Sequence, residues 1–219
     1  MTTAIDRAAF IRSHTSVLAP PLVPEIRLHL AQEAVPLWQK TEEQLGEMGL
    51  PPPFWAFAWA GGQALARYVL DHPETVIERQ IIDFASGSGL VGIAALKAGA
   101  SSVLAADIDR FAGEAISLNA ALNGVALRAT TDDLLAAAPP PADMILVGDL
   151  FYERELAARC FAWLGHAKAQ GSDVLIGDPG RSYLPRDKLA AIAEYAVPVT
   201  RDLEDAEIKR SCVWRLANC

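Results

Sequence analysis

The pattern of apolar and polar residues changes near residue 80, where short apolar runs begin to alternate with segments of helical period. The runs are rich in β-branched residues, and the segments between them repeat their apolar residues at helical spacing. Because helices separate the strands, we expect right-handed β-α-β crossovers and an open, doubly wound sheet. The runs that predict strands are "QIIDFA", "SVLAAD", "VALRAT", "ADMILVGDL" and "SDVLIGD".

The last part of the chain is expected to complete this sheet. "PRDKLAAIAEY" (185–195) predicts a helix, and "AVPVTRDL" and "IKRSCVWRL" predict two final strands that form a hairpin. The last strand should run antiparallel to its neighbour. The predicted fold class is therefore α/β, with a doubly wound, mostly parallel sheet of seven strands.

The N-terminal part has a different, mainly helical pattern. Residues 4–14 predict a short helix, and the prolines of 19–24 end it. A longer apolar stripe predicts a helix from Glu25 to about Gly46, and residues 60–73 predict another. We therefore divide the chain into an N-terminal helical extension, 1–50, and one α/β domain, 51–219.

Composition and charge narrow the function classes. The chain has 219 residues, 52% of them hydrophobic, and a net charge of -8 without any run of Lys or Arg, which argues against nucleic-acid binding. Three cysteines without C-x-x-C spacing and four scattered histidines indicate neither a disulfide framework nor a metal site. We expect a cytoplasmic protein with no signal peptide and no membrane span, because no segment has the necessary apolar length.

The stretch "DFASGSGLVG" (83–92) forms the first predicted turn from strand to helix. Its glycines let the backbone approach a ligand, and the following helix N-terminus favours an anion. That anion could be a dinucleotide pyrophosphate or the carboxylate of a methionine. The G-x-G-x-x-G spacing of Gly87, Gly89 and Gly92 does not distinguish these cofactors, and glycines that serve only helix–sheet packing are a third interpretation.

The acidic residue before the loop and the length of the chain favour S-adenosylmethionine over a dinucleotide. Asp83 adds negative charge just before the loop, which suits a ligand that carries an ammonium and a sulfonium. Asp107 ends the second strand, where a carboxylate can accept hydrogen bonds from ribose hydroxyls of either cofactor. Asp132 or Asp133 follows the third strand, near the expected adenine. The chain is also short for a dinucleotide domain plus a substrate domain.

Several motifs resemble those of the seven-strand S-adenosylmethionine-dependent methyltransferases. They are "IIDFASGSGLVGIAALKAGA", "VLAADID", "LNAALNG" and "ILVGDLFYE". Two further stretches, "PPFWAFAWAGGQALARYVLD" and "VLIGDPGRSYL", are similar to those of the electron transfer flavoprotein β-subunit lysine methyltransferases. The resemblance covers residues 50–216. It implies a Rossmann-like class I fold and S-adenosylmethionine-dependent methylation of protein lysine, with the electron transfer flavoprotein β subunit as the expected substrate and other lysine-bearing proteins as an open alternative.

The resemblance also implies roles for individual residues. Asp149 and Tyr152 match the D-x-x-Y signature of the protein-lysine branch and would be catalytic. Apart from the resemblance, their own positions make Trp55, Asp178 and Arg181 candidates for contact with the substrate, and Arg181 could also meet an acidic partner. Ala85 stands where many relatives have glycine, and an alanine there should require φ < 0. The residues expected to hold the cofactor are Trp59, Gln63, Asp83, Ala85, Ser86, Gly87, Gly89, Asp107, Ile108, Asp132, Asp133 and Gly148.

The residues that would act on the lysine each have a structural alternative. Asp149 could receive the incoming ammonium, or it could cap the helix that begins near Tyr152. An aromatic channel and simple core or lid packing both fit Trp55, Phe57 and Trp59. "GDPGR" (177–181) could bind substrate or form a plain turn.

Three other functions stay open at this point. The same cofactor could methylate a small amine, and G-x-G-x-x-G could belong to an NAD-dependent oxidoreductase. A cofactor-binding module that docks a partner without turnover is the third.

Overall fold

The structure is a computed structural model that describes residues 6–31, 52–199 and 207–217. Its helices are α1 (Arg7–His14), α2 (Ala60–Asp71), α3 (Leu90–Lys97), α4 (Arg110–Leu122) and α5 (Arg154–Ala169). Its strands are β1 (Ser16–Leu18), β2 (Leu28–Leu30), β3 (Gln80–Phe84), β4 (Ser102–Ala106), β5 (Arg128–Thr130), β6 (Met144–Gly148), β7 (Asp173–Asp178), β8 (Leu189–Pro198) and β9 (Ile208–Leu216).

Seven strands form one mixed sheet in the order β5-β4-β3-β6-β7-β9-β8. The five strands from β3 to β7 are parallel, and β9 runs antiparallel to both β7 and β8. The predicted α/β class with a seven-stranded, mostly parallel sheet is confirmed. The chain order reverses between β3 and β6, and the carboxyl ends of strands at such a switch point commonly form a ligand site.

The sheet is covered on both faces, which explains the uninterrupted apolar runs of its central strands. Along β6, Leu146 lies in the core cluster that contains α2 and α3, whereas Ile145 and Val147 lie in the cluster that contains α5. Ile81 and Ile82 of β3 divide in the same way. Because successive side chains point to opposite faces, one short strand supplies both layers.

The N-terminal segment differs in part from its predicted helix. Helix α1 agrees with the prediction for 4–14, and Asp6 caps it by accepting a hydrogen bond from the Ala9 N–H at 3.0 Å. The helix predicted from Glu25 is wrong over the described residues, because Leu28–Leu30 pairs with Ser16–Leu18 as an antiparallel ribbon. Leu28 and Leu30 are buried and His29 between them is only partly buried, which is the alternation of a strand. In the sequence, this short alternation is part of a longer run of apolar residues that matches a helical period. The rest of that prediction, 32–46, lies outside the described residues.

The predicted helix at 185–195 is wrong as well. Residues Arg186–Lys188 form one 3-10 turn, and Leu189–Pro198 is a strand that also contains the first three residues of the next predicted strand, 196–203, whose residues 200–203 lie outside the described part of the chain. This strand pairs with β9 from Leu189↔Leu216 to Pro198↔Ile208, with an irregularity at Ala191/Ala193. Alanine favours helix by less than 1 kcal/mol per residue, so a continuous ladder at the sheet edge outweighs that preference. The short helix predicted near 132–138 is a single 3-10 turn, Leu134–Ala136.

None of the helices in the described part of the chain combines the length and the apolarity that crossing a bilayer requires.

Candidate functional site

A cavity of about 460 Å³ opens at the carboxyl ends of β3, β4, β5 and β6, and Arg181 from the loop after β7 also lines it. Its wall on the N-terminal side is the segment from Pro52 to Trp59, which precedes α2. Twelve of the seventeen predicted site residues line it, and they come from every predicted group. These residues are Trp55, Trp59, Ala85, Gly87, Asp107, Ile108, Asp132, Asp133, Gly148, Asp149, Tyr152 and Arg181.

Asp83 is not among the lining residues, and its hydrogen bonds hold the glycine loop together. Its Oδ2 accepts hydrogen bonds from the Ser86 hydroxyl at 2.5 Å and from the Gly92 N–H at 2.9 Å. The side chain is buried, and this burial raises the pKa of Asp83 to about 6 against the lowering effect of the Ser86 and Gly92 hydrogen bonds. Asp83 and Ser86 therefore stabilise the conformation of the loop, and neither residue lines the cavity.

Gln63 and Gly89 also lie outside the cavity wall. The Gln63 side chain is buried, accepts a hydrogen bond from the Leu22 N–H at 3.2 Å, and donates one to the Ala58 carbonyl at 2.7 Å. It thus ties the N-terminal segment to the start of α2. Gly89 precedes α3 with φ +83°, a left-handed conformation that glycine adopts without strain.

The φ angle of Ala85 contradicts the expectation of φ < 0, because it is +54°. The loop must turn sharply from β3 toward α3, and the Ser86 N–H is held by the Ala106 carbonyl of β4 at 3.1 Å. Asp83 holds the far side of the same turn through Gly92. With both ends fixed, Ala85 takes the left-handed conformation at a cost of about 1–2 kcal/mol.

A second carboxylate, Asp107, borders the cavity at the end of β4. Its Oδ2 accepts the Gly87 N–H at 2.9 Å and its Oδ1 accepts the Asp109 N–H at 3.0 Å. Burial raises the pKa of Asp107, and these two hydrogen bonds oppose that rise. Ile108 beside it is 71% exposed at the rim, a large apolar side chain positioned to cover a ligand.

Asp132 and Asp133 both border the cavity after β5. Asp132 accepts a hydrogen bond from the Thr130 hydroxyl at 2.7 Å. Asp133 caps the following 3-10 turn through the Leu135 N–H at 3.0 Å and faces Arg159 at 3.5 Å. Asp133 therefore caps a helical turn and Asp132 does not, but either carboxylate could accept a hydrogen bond from a ligand.

Asp149 follows β6 with both carboxylate oxygens bound. Its Oδ2 accepts the Gly62 N–H at 2.9 Å, and its Oδ1 accepts Arg181 Nη2 at 2.8 Å and Nε at 3.1 Å. The backbone has φ +54°, and the Asp149 N–H donates to the Gly177 carbonyl at 2.9 Å. Burial raises the pKa of Asp149 to about 6, Asp178 adds to the rise, and the charge of Arg181 opposes it.

The helix-cap interpretation of Asp149 is wrong. Helix α5 begins at Arg154, and its cap is Glu153, whose carboxylate accepts the N–H groups of Glu155 at 2.8 Å and Leu156 at 2.9 Å. Asp149 lies outside this cap. A buried carboxylate in a left-handed conformation at the edge of a cavity is typical of a functional site.

Aromatic side chains line the cavity together with Asp149 and Arg181. The Trp59 indole N–H donates to the Phe54 carbonyl at 2.9 Å, and the Arg181 guanidinium lies 5.7 Å from the Trp59 ring centroid. Tyr152 is 46% exposed, and its ring centroid is 5.6 Å from that of Phe54. Trp55 is buried against Phe111, so it belongs to the core and to the cavity wall at once.

The GDPGR segment forms the predicted turn and brings Arg181 to the cavity wall, and its contact with a substrate stays a prediction. Asp178 forms the turn, because its Oδ1 accepts the N–H groups of Gly180 at 2.6 Å and Arg181 at 2.7 Å. Its side chain is buried and does not border the cavity. Arg181 does border the cavity, and there it binds Asp149.

The Gly-Gly pair at the start of α2 is part of the site that sequence reasoning missed. Gly62 donates its N–H to Asp149. A Cβ at Gly61 would collide with the Gly177 carbonyl of β7 and would lie 2.5 Å from Asp149 Oδ2. Two adjacent glycines in a helical pattern are the only sequence sign of this close approach.

Within residues 6–31, 52–199 and 207–217, no three His, Cys, Asp or Glu side chains are grouped as a metal site would need. The absence of a metal stays a prediction.

Comparisons with known proteins first define the class. The family model for ribosomal protein L11 methyltransferase (PrmA) matches residues 63–148. The structure of the ribosomal protein L11 methylase from Lactobacillus delbrueckii subsp. bulgaricus has a TM-score of 0.52 at 21% identity and covers 74% of this chain and 81% of that chain. Pyrococcus abyssi tRNA (uracil-54, C5)-methyltransferase, solved with S-adenosyl-L-homocysteine, also has a TM-score of 0.52, at 19% identity, and covers 69% of this chain and 38% of that chain. The chain therefore has the Rossmann-like fold of class I methyltransferases.

A curated relative then identifies the family. The electron transfer flavoprotein beta subunit lysine methyltransferase of Xenopus laevis is 38% identical over 219 residues, which covers 97% of this chain and 88% of that protein. The chain belongs to the electron transfer flavoprotein beta subunit lysine methyltransferase family. The predicted family resemblance is confirmed.

Proposed function

We propose that this protein uses S-adenosylmethionine to methylate a lysine of the electron transfer flavoprotein β subunit. The observation that carries the proposal is the position of Asp149. It is a buried carboxylate of the D-x-x-Y motif, it borders the cavity, and Trp59 and Tyr152 line the cavity with it. Family membership supplies the substrate class, since the relatives are named for this subunit.

The cavity contains polar groups that suit the proposed cofactor. Asp107 would accept hydrogen bonds from the ribose hydroxyls, and Asp132 or Asp133 would accept one from the adenine amino group. Ile108 would cover the base, and Trp59 would cover the methionine end. When bound, S-adenosylmethionine supplies an electrophilic methyl group on a positively charged sulfur, which keeps the electron pair of the broken S–C bond.

The chain's own residues would then orient the lysine and exclude water. The Asp149 carboxylate would accept a hydrogen bond from the lysine nitrogen and direct its lone pair into the cavity. Tyr152 would form the wall of the lysine channel with Phe54. Burial disfavours the ammonium form of the lysine, so its proton would pass to bulk water before attack.

The first experiment tests the cofactor. Calorimetric titration of the protein with S-adenosyl-L-homocysteine should show binding, and titration with NAD should show none. Binding of NAD alone would contradict the proposal and would favour an oxidoreductase.

The second experiment tests the substrate class. The protein is incubated with a cell lysate and S-adenosylmethionine carrying a labelled methyl group, and the lysate is then separated by mass. Label should appear in a protein band that is absent without enzyme. Label confined to the low-mass fraction would indicate a small-amine methyltransferase, and cofactor binding without any label would indicate a binding module.

A further inference from the structure

Arg181 lies at the proposed point of methyl transfer, and two carboxylates hold it there. Its guanidinium donates to Asp149 Oδ1 through Nη2 at 2.8 Å and Nε at 3.1 Å, while its backbone N–H donates to Asp178 Oδ1 at 2.7 Å. The guanidinium also lies over the Trp59 ring, 5.7 Å from its centroid. The side chain is 21% exposed, so much of the charge is withdrawn from water. Swinging outward would break both hydrogen bonds to Asp149.

The charged groups around this pair come from several elements. Asp149 follows β6 and Asp178 ends β7, and their mutual repulsion is opposed by Arg181. Arg186 acts on Asp178 from the end of the same loop. Across the cavity, the charged or titratable lining groups are Tyr152, Asp107, Asp109, Asp132, Asp133 and Arg159.

The Asp149–Arg181 pair has a different effect on a lysine than a lone carboxylate would have. A lone carboxylate attracts the ammonium and holds its proton, because an opposite charge stabilises the charged form. A carboxylate already neutralised by a guanidinium still offers a hydrogen-bond acceptor, but the fixed positive charge disfavours the ammonium. Only the neutral amine has the lone pair that attacks a methyl group.

We propose that Arg181 stays bound to Asp149 when the target lysine enters and acts as a positioning residue that promotes loss of the lysine's proton. This inference rests on the proposed function and deepens it. The proton would leave to water, and the freed lone pair would form the new N–C bond as the bond from the methyl group to sulfur breaks and leaves its electron pair on sulfur. Arg181 would therefore contribute to turnover and not to the docking of an acidic partner.

The test measures kcat for methylation of the electron transfer flavoprotein from neutral to alkaline pH. Arg181→Gln removes the charge, Arg181→Lys keeps it, and Arg186→Gln is the matched control on the same loop, outside the cavity wall. The midpoint of the Arg181→Gln profile should shift to alkaline pH by about one unit, a loss of about 10-fold in kcat at neutral pH that recovers at high pH. Arg181→Lys and Arg186→Gln should keep the wild-type midpoint, and KM for the protein substrate should not rise in Arg181→Gln.

Two results would overturn the inference. A uniform loss of kcat with an unchanged midpoint would make Arg181 purely structural, and a raised KM with an unchanged midpoint would make it a docking residue. If Arg181→Gln does not fold, Arg181→Met provides the same test, because it keeps the aliphatic stem and lacks the charge. A wild-type protein that labels no lysine would instead contradict the proposed function, and this inference with it.

Discussion

The close approach of α2 to the strand ends predicts opposite effects for two neighbouring glycines. A Cβ at Gly61 would collide with the Gly177 carbonyl and would lie 2.5 Å from Asp149 Oδ2. A Cβ at Gly62 would meet no atom within 4 Å. Gly61→Ala must therefore push α2 away from the sheet, whereas Gly62→Ala leaves the packing as it is.

The size of the effect follows from three contributions. Overpacking against a backbone carbonyl costs about 1–3 kcal/mol. A helix that moves outward also loses the 2.9 Å hydrogen bond from Gly62 to the Asp149 carboxylate, and a hydrogen bond to a charged group contributes about 1.5–3 kcal/mol. Alanine returns about 1 kcal/mol of helix propensity, so Gly61→Ala should lower the free energy of unfolding by about 1.5–5 kcal/mol.

Urea-induced unfolding, followed by circular dichroism without ligand, measures both variants against wild type. Gly62→Ala is the matched control and should raise the free energy of unfolding by up to about 1 kcal/mol. A Gly61→Ala protein as stable as wild type would refute the packing argument. So would equal losses in the two variants.

Three further predictions concern the acids and Tyr152. Asp107→Asn should weaken binding of S-adenosyl-L-homocysteine about 10- to 100-fold in calorimetry, because the neutral amide is a poorer acceptor for ribose hydroxyls; unchanged affinity would remove Asp107 from the cofactor site. Burial raises the pKa of Asp83 to about 6, so between about pH 4 and pH 6 the native state keeps a proton that the unfolded state has released. Because the native state binds more protons over this range, the free energy of unfolding should fall as pH rises from about 4 to about 6. Asp83→Asn should make the fall in unfolding free energy over that range shallower by up to about 3 kcal/mol in urea titrations, and an unchanged slope would contradict the raised pKa. Tyr152→Phe should keep the channel wall and most of kcat, whereas Tyr152→Ala should lower kcat; equal rates for both variants would exclude a wall at this position.

The predicted fold was most reliable where both faces of a strand are buried. "DMILVGD" has an apolar run that only a covered parallel strand explains, and β6 matches it. The prediction failed at the sheet edge, where "LAAIAEYAV" forms a half-exposed strand paired with β9. Its alanine content indicates a helix, and the pairing partner that decides otherwise lies later in the chain. Local pattern carries no information about such a partner.

The sequence predicted which residues lie near the site, but it did not predict which way their side chains point. Strand-end acids were expected near one cavity, and Asp107 and Asp149 both border it. Asp83 was expected at the cavity for the same reason, but its carboxylate does not line it and instead accepts hydrogen bonds from Ser86 and Gly92. The pairing of Arg181 with Asp149 joins residues 32 positions apart, and no spacing rule predicts it.

The most direct test of the account is methylation of purified electron transfer flavoprotein, with the modified residue mapped by peptide mass spectrometry. The wild-type protein should add methyl groups to lysine of the β subunit. Asp149→Asn should bind S-adenosyl-L-homocysteine as wild type does and methylate at least about 100-fold more slowly. Full activity of Asp149→Asn, or a wild-type protein that binds cofactor and leaves every β-subunit lysine unmodified, would contradict the account.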